Sequence, residues 1–400
     1  MQVAATPSHS WKQLVTNPTL RKLPTRISDF PDRQNCYKHG LFDSTQPRER
    51  RVESTHEYFI QPHTLTVLCT YQCTAACRQC CFESSPEVRG RLSSETIKAR
   101  ISEAKREFDS LEMVVFSGGE AFLLKQDLYD AVAHATALNL RTRIVSNGSW
   151  GKTKSNASRV ASALQKSELS EINISTGKDH QEWVPLESVI NAAEALVDAG
   201  IFTLITVELD NEQQSCLAAI TADDRVRDLL RTRKLVVQSN SWMPFHESAE
   251  DRKQSIDLTE MRSGCDQIFG NMVVTPHDYL SACCGLTLEH IPEMRLGKND
   301  GTNLGMLYRS QADDFLKYWI NVDGPRTIIE RLLGDRSESL LRDVVHVCQA
   351  CVLLHKEPEV RAQLTASYHH FIPEVMTRFF LKQGVRSRES HAPTSTEATN

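Results

Sequence analysis

Residues 63–82 read HTLTVLCTYQCTAACRQCCF. The first seven are apolar and β-branched in the proportion that suits a strand. That strand runs straight into Cys73-Thr-Ala-Ala-Cys77-Arg-Gln-Cys80, a C-x3-C-x2-C run. The three thiols therefore sit on the loop at the strand's carboxyl end. Three thiolates so close on one loop can ligate three irons of a cubane 4Fe–4S cluster. The fourth iron then stays open, as open metal positions do in catalysis. The same run also suits a zinc ion, with Cys69 or Cys81 as the fourth ligand.

Working outward, strand-like runs recur at 63–69, 113–116, 142–146, 172–175, 202–207 and 235–238. Helical patterns separate them. Ile97, Ile101, Ala104 and Phe108 share one face, with Ser93 or Ser94 as N-cap. Leu186, Val189, Ile190, Ala193 and Val197 form another stripe, stopped by Gly200. Further helices are expected at 126–138, 156–165 and 213–230. Repeated β/α units predict a parallel sheet with right-handed helical crossovers, curling into a partial (β/α)6 barrel. Function then belongs at the carboxyl ends of the strands.

The rhythm breaks near residue 240. A hairpin is expected around Pro276-His277-Asp278, then helices at 312–319, 327–333 and 340–347. The expected domains are a polar extension at 1–58, the barrel at 59–240, a smaller cysteine-bearing α+β module at 241–383 and a disordered tail at 384–400.

Composition agrees with a globular protein. The chain has 400 residues, 40% hydrophobic and 24% charged, with a net charge of −5. That charge gives no overall pull toward nucleic acid or anionic membrane. No apolar stretch reaches the length of a membrane span, and the first residues lack the apolar core of a secretory signal. A cytoplasmic protein is expected. In a reducing cytosol, twelve cysteines, five of them within 69–81, suggest metal or redox chemistry.

Two further features bear on the chemistry. The second strand ends in Phe116-Ser117-Gly118-Gly119-Glu120. Its glycines let backbone approach a bound polar group, and its carboxylate can accept from an ammonium. Far from the first run, Cys265, Cys283 or Cys284, and Cys348-Gln-Ala-Cys351 form a second set. Four thiolates from distant segments make a closed site, for iron–sulfur or for zinc. By contrast, Gly148-Ser-Trp-Gly-Lys-Thr153 lacks the spacing of a phosphate loop.

On these motifs the chain resembles radical S-adenosylmethionine (radical SAM) enzymes over about residues 60–240. The resemblance implies that Cys73, Cys77 and Cys80 hold a 4Fe–4S cluster whose unique iron is chelated by S-adenosylmethionine. It implies that Gly118, Gly119 and Glu120 hold the methionyl amino group. It places Ser146, Asn147 and Ser175 near the cofactor's ribose and carboxylate. Two positions depart from the family pattern. Gln79 stands where an aromatic is frequent, with Phe82 as a substitute ring. Gly177 stands where an aspartate is frequent, with Asp179 following.

The second set resembles the twitch module, a shortened SPASM domain with one auxiliary 4Fe–4S cluster on Cys265, Cys283, Cys348 and Cys351. Cys283 is preferred over Cys284 because its spacing from Cys265 matches that module. Cys284 is then a free thiol, either packing or a hydrogen donor. Trp242 and Met243-Pro244-Phe245 are read as packing or as one wall of a substrate pocket.

The resemblance implies reductive cleavage of S-adenosylmethionine to a 5′-deoxyadenosyl radical. That radical would abstract hydrogen from a peptide or small molecule, for oxidation, crosslinking or other maturation. A flavodoxin- or ferredoxin-like donor would supply the electron. Two alternatives stand beside it: a peptide epimerase using Cys284, and a non-enzymatic zinc or iron–sulfur scaffold or electron carrier.

Overall fold

The computed structural model describes residues 60–211, 213–245, 252 and 256–389. The 1–58 extension, with Cys36, and residues 390–400 of the expected tail lie outside them.

Nine strands form one sheet in the order β6-β5-β4-β3-β2-β1-β7-β8-β9. The first six are β1 Thr64–Leu68, β2 Met113–Ser117, β3 Arg141–Ser146, β4 Glu171–Thr176, β5 Phe202–Glu208 and β6 Leu235–Asn240. Each pairs in parallel with the next. Among the described residues the edges of the sheet are β6 and β9, so the barrel stays open.

Helices Ser94–Glu107, Gln126–Ala137, Lys154–Lys166 and Leu186–Asp198 make the crossovers. Local chemistry sets their ends. The Ser93 hydroxyl accepts from the Thr96 N–H at 3.1 Å, which satisfies one orphan donor of the first helix. The stretch read as a single helix at 213–230 divides into Ser215–Ala222 and Asp224–Arg231. Asp223 causes the division: its carboxylate accepts from the N–H groups of Arg225 and Val226 at 2.9 and 3.3 Å.

The boundary expected at residue 240 does not divide the sheet. β7 (Asn271–Val274) returns to pair in parallel with β1, Leu65 beside Met272 and Val67 beside Val274. β8 (Tyr279–Ser281) and β9 (Arg295–Lys298) follow antiparallel. All four residues of β7 are buried. Without β7, β1 would present an open edge, and the pairing removes that liability. The expected hairpin therefore belongs to the barrel's own sheet.

Beyond it, one helix, Phe315–Leu333, spans both expected segments and is interrupted at Gly324-Pro325. The helix expected at 340–347 is replaced by Ser337–Leu341 and, after a gap, Val347–Lys356. His346 opens the latter as N-cap, its Nδ1 accepting from the Cys348 N–H at 3.1 Å. The final helix, Pro358–Glu389, runs past the point where the tail was expected. It packs on Phe315–Leu333 through ring pairs such as Trp319 with Phe371, centroids 4.5 Å apart. One continuous core joins the barrel to these helices. Among the described residues, no helix is long and apolar enough to cross a membrane.

Candidate active site

The cysteine loop is held by the end of β2. Cys69 N–H donates to the Ser117 carbonyl at 2.8 Å, Gly119 N–H to Thr70 at 2.7 Å and Glu120 N–H to Gln72 at 2.9 Å. A Cβ on Gly118 would lie 2.4 Å from the Thr70 carbonyl oxygen, and one on Gly119 would lie 2.2 Å from that of Gln72. Only bare backbone fits there. The two glycines thus serve the cysteine loop directly.

Cys73, Cys77 and Cys80 line one cavity of about 800 Å³, together with Gly118, Gly119, Asn147 and Ser175. The cavity opens along the barrel axis as far as Thr64, Met113 and Arg143, near the amino ends of β1–β3. Burial, then the neighbouring charges, pushes the Cys77 thiol up to about 12. Burial likewise pushes Cys73 up to about 11. Cys80 is pulled down to about 6 by a hydrogen bond from the Cys81 thiol, against its own burial. Three thiolates crowded here repel one another, so the set suits a cationic group that draws off their protons.

Glu120 faces away from this cavity. It is 1% exposed. Its carboxylate accepts from Ser146 Oγ at 3.0 Å, from the Asn147 N–H at 2.9 Å and from the Phe122 N–H at 3.1 Å. Burial pushes its carboxyl up against these bonds. Ser146 lines the cavity while also accepting from Trp150 Nε1 at 3.1 Å. Glu120 therefore ties the ends of β2 and β3 together beneath the loop, where an ammonium-binding role was expected. Asn147 Nδ2 donates to Cys73 Sγ at 3.6 Å and to Thr74 Oγ1 at 3.0 Å, so it holds the loop from the other side.

The opposite wall comes from strand ends that the sequence reading passed over. Glu208 and Asn240 are the last residues of β5 and β6, and both line the cavity. Polar residues closing strands were the available signal. Glu208 Oε2 lies 3.1 Å from His180 Nδ1. Its Cγ stands 1.9 Å from where a Cβ on Gly177 would be. A carboxylate from β5 thus fills the space of the side chain missing at 177. Asp179 accepts from Trp242 Nε1 at 3.2 Å and from buried Arg252 at 2.9 Å, and the guanidinium lies 3.8 Å over the Trp242 ring. Trp242, Met243 and Phe245 line the cavity. All three are nearly fully buried, so they pack and line the cavity at once. Gln79, in place of an aromatic, accepts from the Phe245 N–H at 2.5 Å and pins that wall to the cysteine loop.

Phe82, the ring offered in place of an aromatic at 79, lines the cavity. His63 and His180 line it too, whereas His277 does not and packs against the Tyr71 ring. Cys69 is fully buried in the core, its thiol pushed up to about 12 by burial.

Cys265, Cys283, Cys348 and Cys351 gather behind the cavity without lining it. A Cβ on Gly285 would lie 3.0 Å from Cys348 Sγ and 3.1 Å from Cys283 Sγ, so both sulfurs crowd one backbone point. Burial first, then the thiols of Cys265, Cys284, Cys348 and Cys351, drives Cys283 far up. Cys284 turns the other way and lines the cavity. Among the described residues, no three His, Cys, Asp or Glu side chains are arranged to hold a single metal ion. A cubane takes one sulfur per iron, so its ligands need not converge on one point.

Residues 67–220 match the family model of the Radical SAM superfamily. The chain is 26% identical over 131 residues to "Putative peptide biosynthesis protein YydG" of Bacillus subtilis (strain 168), a match of 33% of this chain and 41% of that protein. It thus spans about two fifths of that relative's length. Among solved structures, histidine-tagged anSMEcpe with bound AdoMet is similar at TM-score 0.50 and 13% identity, over 80% of this chain and 99% of that one. Streptococcus suis SuiB bound to S-adenosylmethionine is similar at TM-score 0.45 and 15% identity, over 63% and 68%. At such identities the likeness to the first of these two is one of fold.

Proposed function

We propose, from the match of residues 67–220 to the model of the Radical SAM superfamily, that the chain is a peptide-modifying radical SAM enzyme. One observation carries the proposal: Cys73, Cys77 and Cys80 face a single cavity at the carboxyl ends of the parallel strands, with Gly118, Ser146, Asn147 and Ser175 around it. In this reading the three cysteines hold the 4Fe–4S cluster, and the last four residues with Gly119 seat S-adenosylmethionine. When bound, the cluster supplies the electron that cleaves S-adenosylmethionine to a 5′-deoxyadenosyl radical, which abstracts hydrogen from the substrate. A flavodoxin- or ferredoxin-like protein feeds that electron.

The chain's own residues position and insulate. The Trp242–Met243–Phe245 wall keeps water and stray hydrogen donors from the cavity, and Gln79 holds the wall against the loop. Glu208 and Asp179 fix His180 and Arg252 across the cavity from the cysteine loop. Cys265, Cys283, Cys348 and Cys351 hold an auxiliary 4Fe–4S cluster that is closed to substrate. A peptide substrate is supported by the name of the Bacillus relative.

A second reading, peptide epimerisation with Cys284 as hydrogen donor, is favoured by one observation. Of the two adjacent cysteines, only Cys284 faces the cavity. Burial pushes its thiol up to about 12.

Anaerobic reconstitution tests the main reading. About eight irons per chain and release of 5′-deoxyadenosine under a low-potential reductant are expected. About two zincs with no release would instead establish the scaffold alternative. Peptides encoded by short reading frames beside the gene supply the first substrates to try.

A further inference from the structure

Cys284 is enclosed by a ring of hydrogen bonds. Its Sγ donates to Gln267 Oε1 at 2.8 Å and accepts from Asn271 Nδ2 at 3.1 Å. Asn271 Nδ2 also donates to Gln267 Oε1 at 3.1 Å. Asn271 Oδ1 accepts from Thr66 Oγ1 at 3.0 Å, a bond buried inside the barrel. Thr66, Gln267, Asn271 and Cys284 all line the cavity that also holds Cys73, Cys77 and Cys80.

Each link constrains the next. The Thr66 hydroxyl donates to the Asn271 oxygen and also lies within hydrogen-bonding reach of the Cys284 sulfur, so it belongs to the same ring. The other end of the Asn271 amide is the NH2, aimed at both Gln267 and the sulfur. Gln267 Oε1 thus meets two donors, one of them the thiol. A thiol is a weak donor and its hydrogen ordinarily rotates freely about the C–S bond. Here one rotation is singled out.

We propose that Gln267 and Asn271 are positioning residues for hydrogen transfer from Cys284. Gln267 parks the S–H hydrogen at a defined place on the cavity wall, and Asn271 keeps a donor on the sulfur throughout. The inference rests on the second reading above, in which Cys284 is the hydrogen donor. In the transfer, the S–H bond of Cys284 breaks homolytically, a C–H bond forms on the substrate carbon radical, and a sulfur-centred radical remains. One electron from a low-potential iron–sulfur or flavin donor and one proton from water restore the thiol. During the interval without hydrogen, the Asn271 amide remains hydrogen-bonded to the sulfur and holds it in place.

The two halves come from distant parts of the chain, which is why neither is visible as a motif. Asn271 opens β7 and faces the lumen because β7 pairs with β1, which carries Thr66. Gln267 lies on the turn just before it, and its Oε1 reaches across to the residue after Cys283.

Infrared spectroscopy of the reconstituted holoenzyme reads the ring without any substrate. The S–H stretching band of Cys284, isolated as wild type minus Cys284→Ala, is expected as one narrow band displaced below the frequency of a free thiol. Gln267→Ala should return it to the free-thiol position, whereas Gln267→Glu, which keeps an acceptor oxygen, should leave it displaced. Asn271→Ala should split or broaden it. A wild-type band already at the free-thiol position, or one that Gln267→Ala does not move, overturns the proposal. Iron content equal to wild type certifies that each variant is folded. A separate arm tests the donor reading: with a peptide that the enzyme inverts, Cys284→Ala must stop incorporation of solvent deuterium. Continued incorporation overturns both reading and inference while leaving the infrared result intact, so the two failures are told apart.

Discussion

The two cysteine sets carry the same thiol chemistry in opposite arrangements. Cys73, Cys77 and Cys80 come from one short loop and face the cavity. Cys265, Cys283, Cys348 and Cys351 come from three separate segments and face one another behind it. A local set keeps its geometry from a single turn of chain, so one side can stay open to a second ligand. A set gathered from distant segments is closed by the fold that gathers it, and any group bound there ties those segments together. The first arrangement suits chemistry on a bound molecule. The second suits a structural or electron-transfer role.

Breaking the first set should have the largest effect. Cys80→Ala is expected to remove 5′-deoxyadenosine release to background while iron falls from about eight to about four per chain. Its thermal midpoint should change little, because the backbone bonds at residue 80 survive: its N–H donates to the Cys77 carbonyl and its carbonyl accepts from Glu83. Retained release in that variant would refute the assignment of the loop.

Breaking the second set should reverse the pattern. Cys348→Ala is also expected to lose about four irons, but to lower the thermal midpoint by several degrees. A group held there would join the 265 loop, the chain just after β8 and the Val347–Lys356 helix. Differential scanning calorimetry on the reconstituted protein checks this. A midpoint equal to wild type would mean that the second set does not tie those segments.

Gly119→Ala sharpens the comparison from the backbone side. The new Cβ would meet the Gln72 carbonyl at 2.2 Å, and neither strand end can move freely. The cost should be about 2–3 kcal/mol, the range of strong overpacking. Iron should be lost from the loop and not from the second set, read by comparison with Cys80→Ala. Loss from both would show that the two regions do not stand independently.

The same contrast explains what was legible in the sequence. A site built within one loop shows as spacing, so Cys73, Cys77 and Cys80 were readable, as were the six parallel strands and caps such as Ser93. A site built by tertiary pairing does not. Nothing in Asn271–Val274 names β1 as its partner, because register between distant strands is settled by which edge lies open. The inward turn of Glu120 was hidden for a similar reason: the donors to its carboxylate, Ser146 and Asn147, belong to the end of the next strand. Spacing preferred Cys283 over Cys284, but that the two face opposite ways is visible only once a cavity exists for Cys284 to line.

The smallest effect probes the wall opposite both sets. His180 is partly exposed and bonded to Glu208. Burial alone would lower its pKa, but the Glu208 carboxylate outweighs burial and the net shift is upward. A raised folded-state pKa means that the folded protein binds the proton more tightly than the unfolded chain. The pair's contribution is therefore fully present below the ordinary histidine value of about 6.5 and is lost as pH rises through the raised value. His180→Gln, which cannot titrate, should be less stable than wild type by about 1 kcal/mol or less at pH 5 to 6. The gap should close toward pH 9, read as the difference in thermal midpoint between the two proteins across that range. The direction matters for the site. A gap that widened with pH would mean a neutral His180 in the fold, and the two carboxylates Asp179 and Glu208 would then share the Arg252 guanidinium, 2.9 and 3.7 Å away.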